Sequence, residues 1–281
     1  MSTFVREETN IKKIISYLYI SIIPLLIFGF YKNGIKSYDG IYILHPLILD
    51  LVGFASGALV SIILEKKKPL TSFYPFYGLL SASLVFPNTS IIVFGLICFI
   101  SLFIYKKINK NNVNIVCVIA LIVILISNFY ETSYLNLVIN SNTNLDGLDY
   151  LLGKGSAGLN ASCTLLSLAS YLYLSTKDFY KKEIPLYSFL IYSILMVIYL
   201  SFIGDINSLF VRLLSNGTIF SLVFVSTMGT TSSYTKRGRI CYSLILGILM
   251  FILSFSFPSL AVISAIFLTS IMHKYIDKLL K

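Results

Sequence analysis

Charge is scarce in this sequence. Of 281 residues, 12% are Asp, Glu, Lys or Arg and 57% are hydrophobic, with two histidines and four cysteines. Long apolar runs recur from Ile14 to Met272, and no polar block between them is large enough to form a soluble domain. Cys98, Cys117, Cys163 and Cys241 stand singly inside these runs, without a Cys-x-x-Cys pair or a neighbouring histidine. That pattern argues against a disulfide framework or a metal centre and for small buried apolar side chains. No Gly-x-Ser-x-Gly, His-Glu-x-x-His or P-loop pattern occurs, so nothing points to a self-contained hydrolase or ATPase. The formal net charge is +10, yet the cations sit in short clusters at the ends of apolar runs, which suits a membrane surface and not nucleic acid. The composition is that of an all-α polytopic membrane protein.

Ten runs approach the roughly 17–25 residues that a bilayer core requires. They fall near 14–30, 42–64, 70–86, 90–105, 113–130, 157–176, 184–203, 207–230, 240–256 and 258–273. The first follows Lys12 and Lys13 as a signal peptide would, but it has no small-residue cleavage site and leads into Tyr31-Lys32, so it reads as a membrane helix. With a cytoplasmic N-terminus, 18 of the 22 Lys and Arg residues fall inside, and Lys32, Lys36, Lys154 and Arg212 fall outside or near the outer face. This asymmetry predicts cytoplasmic N- and C-termini in the cell membrane and an extracytoplasmic loop at 131–156. The chain reads as one membrane domain over 1–281: a first repeat at about 12–130, the loop, and a second repeat at about 157–276. Two halves of five spans each must cross in opposite senses, so internal similarity would be an inverted repeat.

Such a similarity joins the third and eighth spans. "YGLLSASLVFPNTS" (Tyr77 to Ser90) and "NGTIFSLVFVSTMGTTSS" (Asn216 to Ser233) both carry Leu-Val-Phe followed by small polar residues that break a helix. Seven Ser and Thr residues lie between Ser226 and Thr235, just before three cations. In hydrocarbon, hydroxyls and broken backbone are tolerated where they are buried in protein or line a polar cavity. Pro87, Asn88, Thr89, Thr227, Thr230, Thr231 and Ser232 are therefore candidate lining residues. The alternative is a plain hairpin turn at Pro87-Asn88 and a helix end reaching the interface at Thr230–Ser233. Asp50, in "HPLILDLVGFASG", is an acidic residue well inside a predicted span and a candidate ion or proton site, unless the span starts later and leaves it near the outer interface. His45, five residues earlier and before Pro46, lies on a different helix face and reads as interfacial. "GKGSAGLNAS" (Gly153 to Ser162) opens the sixth span with small residues, suited either to an anion at a helix N-terminus or to a cap with close packing.

These segments together resemble the family of the D subunit of the Rnf electron-transport complex and the B subunit of the sodium-translocating NADH:quinone reductase (RnfD/NqrB). "IIPLLIFGFYKNGI" (22–35) resembles the family's Pro-Ala-Leu-Ile-x-Gly-aromatic first span. Residues 77–108 resemble its third and fourth spans, with Pro87-Asn88-Thr89 where the family has Pro-Pro-Thr. "GSAGLNAS" resembles its Gly-Ser-x-Gly-Glu-Thr-Ser, which implies roles for Gly155, Ser156, Gly158 and Asn160. "FVSTMGTTSSYTKRG" resembles its Phe-Met-Ala-Thr-Asp-Pro-Val-Thr-Ser-Pro-Thr-Thr-Arg-Lys-Gly. The resemblance implies a fold similar to urea transporters and a flavin, FMN, carried on a threonine of the outer loop. The matching place is "NSNTNL", which puts Thr143 at the attachment position, although the Ser-Gly expected before it is Asn140-Ser141; the other reading is an ordinary Asn/Ser-rich surface loop. Carboxylates of the family are replaced by Leu159 or Asn160 and by Met228-Gly229, which counts against cation conduction.

The expected function is that of a membrane subunit of an electron-transport complex. It would bind FMN or another flavin, pass electrons to other membrane subunits and be served by a flavin transferase. The alternatives are a channel for a small polar solute, or a scaffold subunit with neither activity.

Overall fold

The computed structural model describes residues 11–37, 40–66, 68–108, 113–130, 147–155 and 157–279, the side chains of 41, 128–130 and 207 excepted. Thr143, Ser156 and most of the 131–156 loop lie outside the described residues. The first half begins with α1 (Ile11–Phe30), which continues through a wider π turn at Tyr31–Ile35. It goes on to α2 (His45–Val60, with a π turn at Ser61–Glu65), α3 (Tyr74–Leu84), α4 (Ile91–Ile108) and α5 (Ile115–Tyr130). After the loop come the short α6 (Gly147–Leu151), α7 (Thr164–Ser175), α8 (Glu183–Ile203), the short α9 (Leu209–Leu214) and α10 (Thr218–Phe220, with a π turn at Ser221–Val225). The chain ends in α11 (Lys236–Ser256) and α12 (Ala261–Leu279).

Among the described residues, five helices are long and apolar enough to cross a membrane: Ile11–Ile35, Tyr42–Glu65, Ile91–Ile108, Glu183–Ile203 and Lys236–Ser256. Their outward faces are apolar. On α4, Ile92, Leu96, Ile100 and Ile104 recur at four-residue spacing and all are exposed, a stripe that lipid accepts and water would not.

The packing falls into two groups. Helices α2, α3, α4 and α5 pack together, as do α8, α11 and α12; the groups meet where α5 touches α12 and where α3 touches the π turn of α10. Those last two elements form the centre. Every residue of α3 is buried, and so is every residue from Thr218 to Val225. Helix α3 lies so close to α2 that a Cβ on Gly53 would meet the Gly78 carbonyl at 2.5 Å, and a Cβ on Gly78 would run into that of Gly53.

Three expected spans are shorter than the sequence implies. The run at 70–86 contains an eleven-residue helix, about 16 Å at 1.5 Å per residue, or half of a hydrocarbon core of about 30 Å. It starts with Pro75 in its first turn and stops at Val85, which is extended; Pro87 has no N–H to continue the helix onto the Ser83 carbonyl and its ring would clash there. The run at 207–230 is cut between α9 and α10, where Asn216 and Gly217 take left-handed φ values of 59° and 67°. The run at 157–176 becomes helical only at Thr164. The other expected spans agree with helices to within a few residues.

Candidate functional site

Two buried polar breaks terminate the central helices, at opposite ends of the molecule. The break after α3 is a β-turn. Pro87 and Asn88 occupy its corner and the Thr89 N–H closes it on the Phe86 carbonyl at 3.0 Å. His45 at the start of α2 lies with Nε2 3.1 Å from the Thr89 carbonyl. The carbonyls that α3 leaves free are taken by the segment before α7: Leu159 N–H donates to Val85 at 2.8 Å and Asn160 N–H to Ser83 at 3.2 Å. Gly158 permits this approach, since a Cβ there would lie 2.7 Å from the carbonyls of both Ser83 and Leu84.

Asn160 fastens the arrangement. It is fully buried, and its Nδ2 donates to both oxygens of Asp50 at 2.9 and 3.1 Å and to Ser83 Oγ at 3.0 Å. The turn after α1 holds the same segment from the other side, with Lys32 Nζ donating to the Gly155 carbonyl and Asn33 Nδ2 to that of Leu159, both at 2.6 Å. Gly155 and residues 158–160 thus serve as an anchor for the chain arriving from the loop.

The second break, residues 226–235, lies at the lysine-rich end. Several carbonyls of α10 and the segment after it find a side-chain donor. Tyr180 OH donates to Val223 at 3.0 Å and Asn114 Nδ2 to Val225 at 2.9 Å. Lys181 Nζ donates to Ser232 Oγ at 2.7 Å, to the Ser232 carbonyl at 2.8 Å and to that of Gly229 at 3.3 Å. The same ammonium lies 4.3 Å from the centre of the Tyr234 ring. Burial pushes the Lys181 ammonium down to about 7, with Arg239 adding to the shift and Asp277 opposing it. Ser226 and Thr227 turn their hydroxyls back on Leu222 and Val223, as Ser and Thr do inside helices. Asp277 of α12 accepts from Tyr234 N–H at 3.0 Å and from the Thr235 hydroxyl at 3.1 Å, and Thr235 caps α11 through Gly238 N–H at 3.0 Å.

Thr230 is placed differently. Its hydroxyl has no hydrogen bond of good geometry and sits beside the phenols of Tyr77 and Tyr105. It lines two adjoining hollows at the lysine-rich end. One, of about 520 Å³, is bounded by Tyr234, His273, Lys274, Asp277 and Lys278. The other, of about 150 Å³, is bounded by Tyr74, Tyr77, Tyr105 and Lys106, with Lys106 paired to Glu65 at 2.7 Å.

A sequence profile of the NQR2, RnfD, RnfE family matches residues 1–281. The chain belongs to this family. No individual curated protein matches it. NQR2, RnfD, RnfE membership and the apolar helices together make the chain a multi-pass membrane protein, a membrane subunit of the Rnf/Nqr type.

Within this NQR2, RnfD, RnfE member the expected site residues divide into three sets. Asp50, Gly155, Gly158, Asn160 and Thr89 come together at the first break, with Pro87 buried and Asn88 exposed at its corner. Thr231 and Ser232 are buried at the second, and of the expected hydroxyl residues there Thr230 lines the two hollows, with its oxygen buried against Tyr77 and Tyr105. Ser156 and Thr143 lie outside the described residues. Sequence reasoning missed Lys181, Asn114 and Tyr180. Lys181 reads as one more positive-inside cation and Asn114 as the end of a polar linker. The signal that could have found them is the need of a buried helix break for donors to its freed carbonyls.

Proposed function

We propose that this chain binds a flavin and passes electrons within or across the membrane as one subunit of a larger complex. The observation that carries this reading is the family match over residues 1–281. Among the described residues, the hollow around Thr230 has the chemistry a flavin mononucleotide needs. Lys274 and Lys278 would face a phosphate, Thr230 lies where the two hollows adjoin, and Tyr77, Tyr105 and Tyr234 offer aromatic surface. A bound flavin supplies the one- and two-electron chemistry; the chain supplies position, charge and exclusion of water.

The positions at the first break do not fit a flavin, because Gly158 and Asn160 are filled by the α3 carbonyls and by Asp50. Their role in this reading is to anchor the loop that carries Thr143, the second candidate place for the cofactor and one that requires a flavin transferase. Asp50, held by Asn160, is the residue through which coupling to an ion or proton would run. The lysine-rich end lies on the cytoplasmic side and the loop on the other, following the distribution of Lys and Arg.

The test is in-gel fluorescence of the denatured protein co-expressed with a flavin transferase, beside Thr143→Ala and a Lys274→Ala/Lys278→Ala pair. A fluorescent band lost in Thr143→Ala assigns covalent flavin to the loop. A dark gel, with flavin that co-purifies natively and is lost in the lysine pair, assigns it to the hollow. Protein that carries no flavin in either form defeats the reading and favours the solute-channel or scaffold alternatives.

A further inference from the structure

The second break holds an unusual occupant. Lys181 is 6% exposed, and among the described residues no carboxylate is paired with it. Asp277 acts on it only from beyond contact distance, and a buried ammonium with no carboxylate in contact must replace its water with other dipoles. Here the replacements are all neutral: the carbonyls of Gly229 and Ser232, the Ser232 hydroxyl, and the face of the Tyr234 ring. The Gly229 and Ser232 carbonyls lie in the unwound segment beyond the π turn that ends at Val225, and unwound carbonyls of this kind are suited to coordinating small monovalent cations inside membranes. A shell of neutral oxygens favours a single positive charge, since a divalent ion draws on carboxylates.

We propose that residues 229–232 form a coordination site for a monovalent cation, and that this chain fills it with its own ammonium, Lys181. The lysine is the intramolecular stand-in for a potassium, ammonium or sodium ion. Tethered just before α8, it competes at an effective concentration that free ions in the millimolar range do not exceed. The break is therefore closed to exchangeable ions while Lys181 is in place, and opens to them when the side chain is removed. This inference stands on the geometry of the break and is independent of the flavin reading.

The experiment compares the intact protein with Lys181→Ala, which leaves room for an ion, and Lys181→Met, which fills the room without charge. Thermal unfolding in detergent is followed with a thiol-reactive dye, using the buried free cysteines Cys98, Cys117 and Cys163 as reporters. Ammonium, potassium, sodium and N-methylglucamine chlorides are titrated at equal ionic strength. Lys181→Ala is expected to show a saturable Tm rise of about 2–4 °C with ammonium or potassium over N-methylglucamine. The intact protein and Lys181→Met stay flat, and adding Ser232→Ala to Lys181→Ala shrinks the response. The proposal is overturned if Lys181→Ala melts alike in all four salts, or if all three proteins respond equally. It is also overturned if Lys181→Ala stays unfolded in every salt, because a bound ion would restore the lost contact.

Discussion

Asn160 engages three acceptors through one amide nitrogen, both oxygens of Asp50 and the hydroxyl of Ser83, so the first break depends on that side chain. Hydrogen bonds to charged groups contribute about 1.5–3 kcal/mol each, and a stranded buried acceptor costs a similar amount. Asn160→Ala should destabilise the protein by about 2–3 kcal/mol, and a double-mutant cycle with Asp50→Asn should return a coupling above about 1 kcal/mol; additive effects would separate the two residues. Both were legible in the sequence as a carboxylate inside an apolar run and a polar residue in a glycine-rich segment. Their pairing was not, because they stand 110 positions apart and no periodicity links them. Lys181 was hidden for a different reason: its signal, a cation near a helix end, is the same as that of its exposed neighbours. Its titration offers a check. Since burial lowers its folded value from 10.5 to about 7, the unfolded chain binds more protons between those limits, and raising the pH through that window stabilises the fold. Stability measured from pH 7 upwards should therefore rise more steeply in the intact protein than in Lys181→Met.

At the scale of elements, the central fact is that α3 and α10 are half-length helices buried on all sides. The sequence shows where they break, at Pro87-Asn88 and in the Ser/Thr run, because breakers are local chemistry. It does not show how short they are, since apolarity continues through residues that have already left the helix. Their length follows from tertiary pairing: α3 can end early because residues 159–160 accept the duty of satisfying its carbonyls. The fit of α3 to α2 rests on Gly53 and Gly78. Gly78→Ala would drive a methyl group into the Gly53 carbonyl, and overpacking of this kind costs about 1–3 kcal/mol. A Tm unchanged in Gly78→Ala would contradict the close approach of the two helices.

For the whole molecule, the two helical groups meet along α3, α10, α5 and α12, with one polar break towards each end. The orientation proposed for this arrangement follows the distribution of cations. With the native cysteines replaced, Asp178→Cys should react with a membrane-impermeant thiol reagent only after cells are opened, and Lys154→Cys should react in intact cells; the reverse pattern would invert the topology. Membrane character was legible from composition alone, and the family from four motifs in register. Two things were beyond the sequence: that Lys32, Asn33, Ser226, Thr227 and Ser232 in those motifs are turned inward onto backbone carbonyls, and that Thr230 lines both hollows.

Flavin binding is tested most directly by the visible absorption spectrum of the protein purified from its membrane without denaturation. The expected spectrum has the two bands of an oxidised flavin, bleached by dithionite and restored by air. A colourless protein, folded and at full occupancy of its helices, would contradict it.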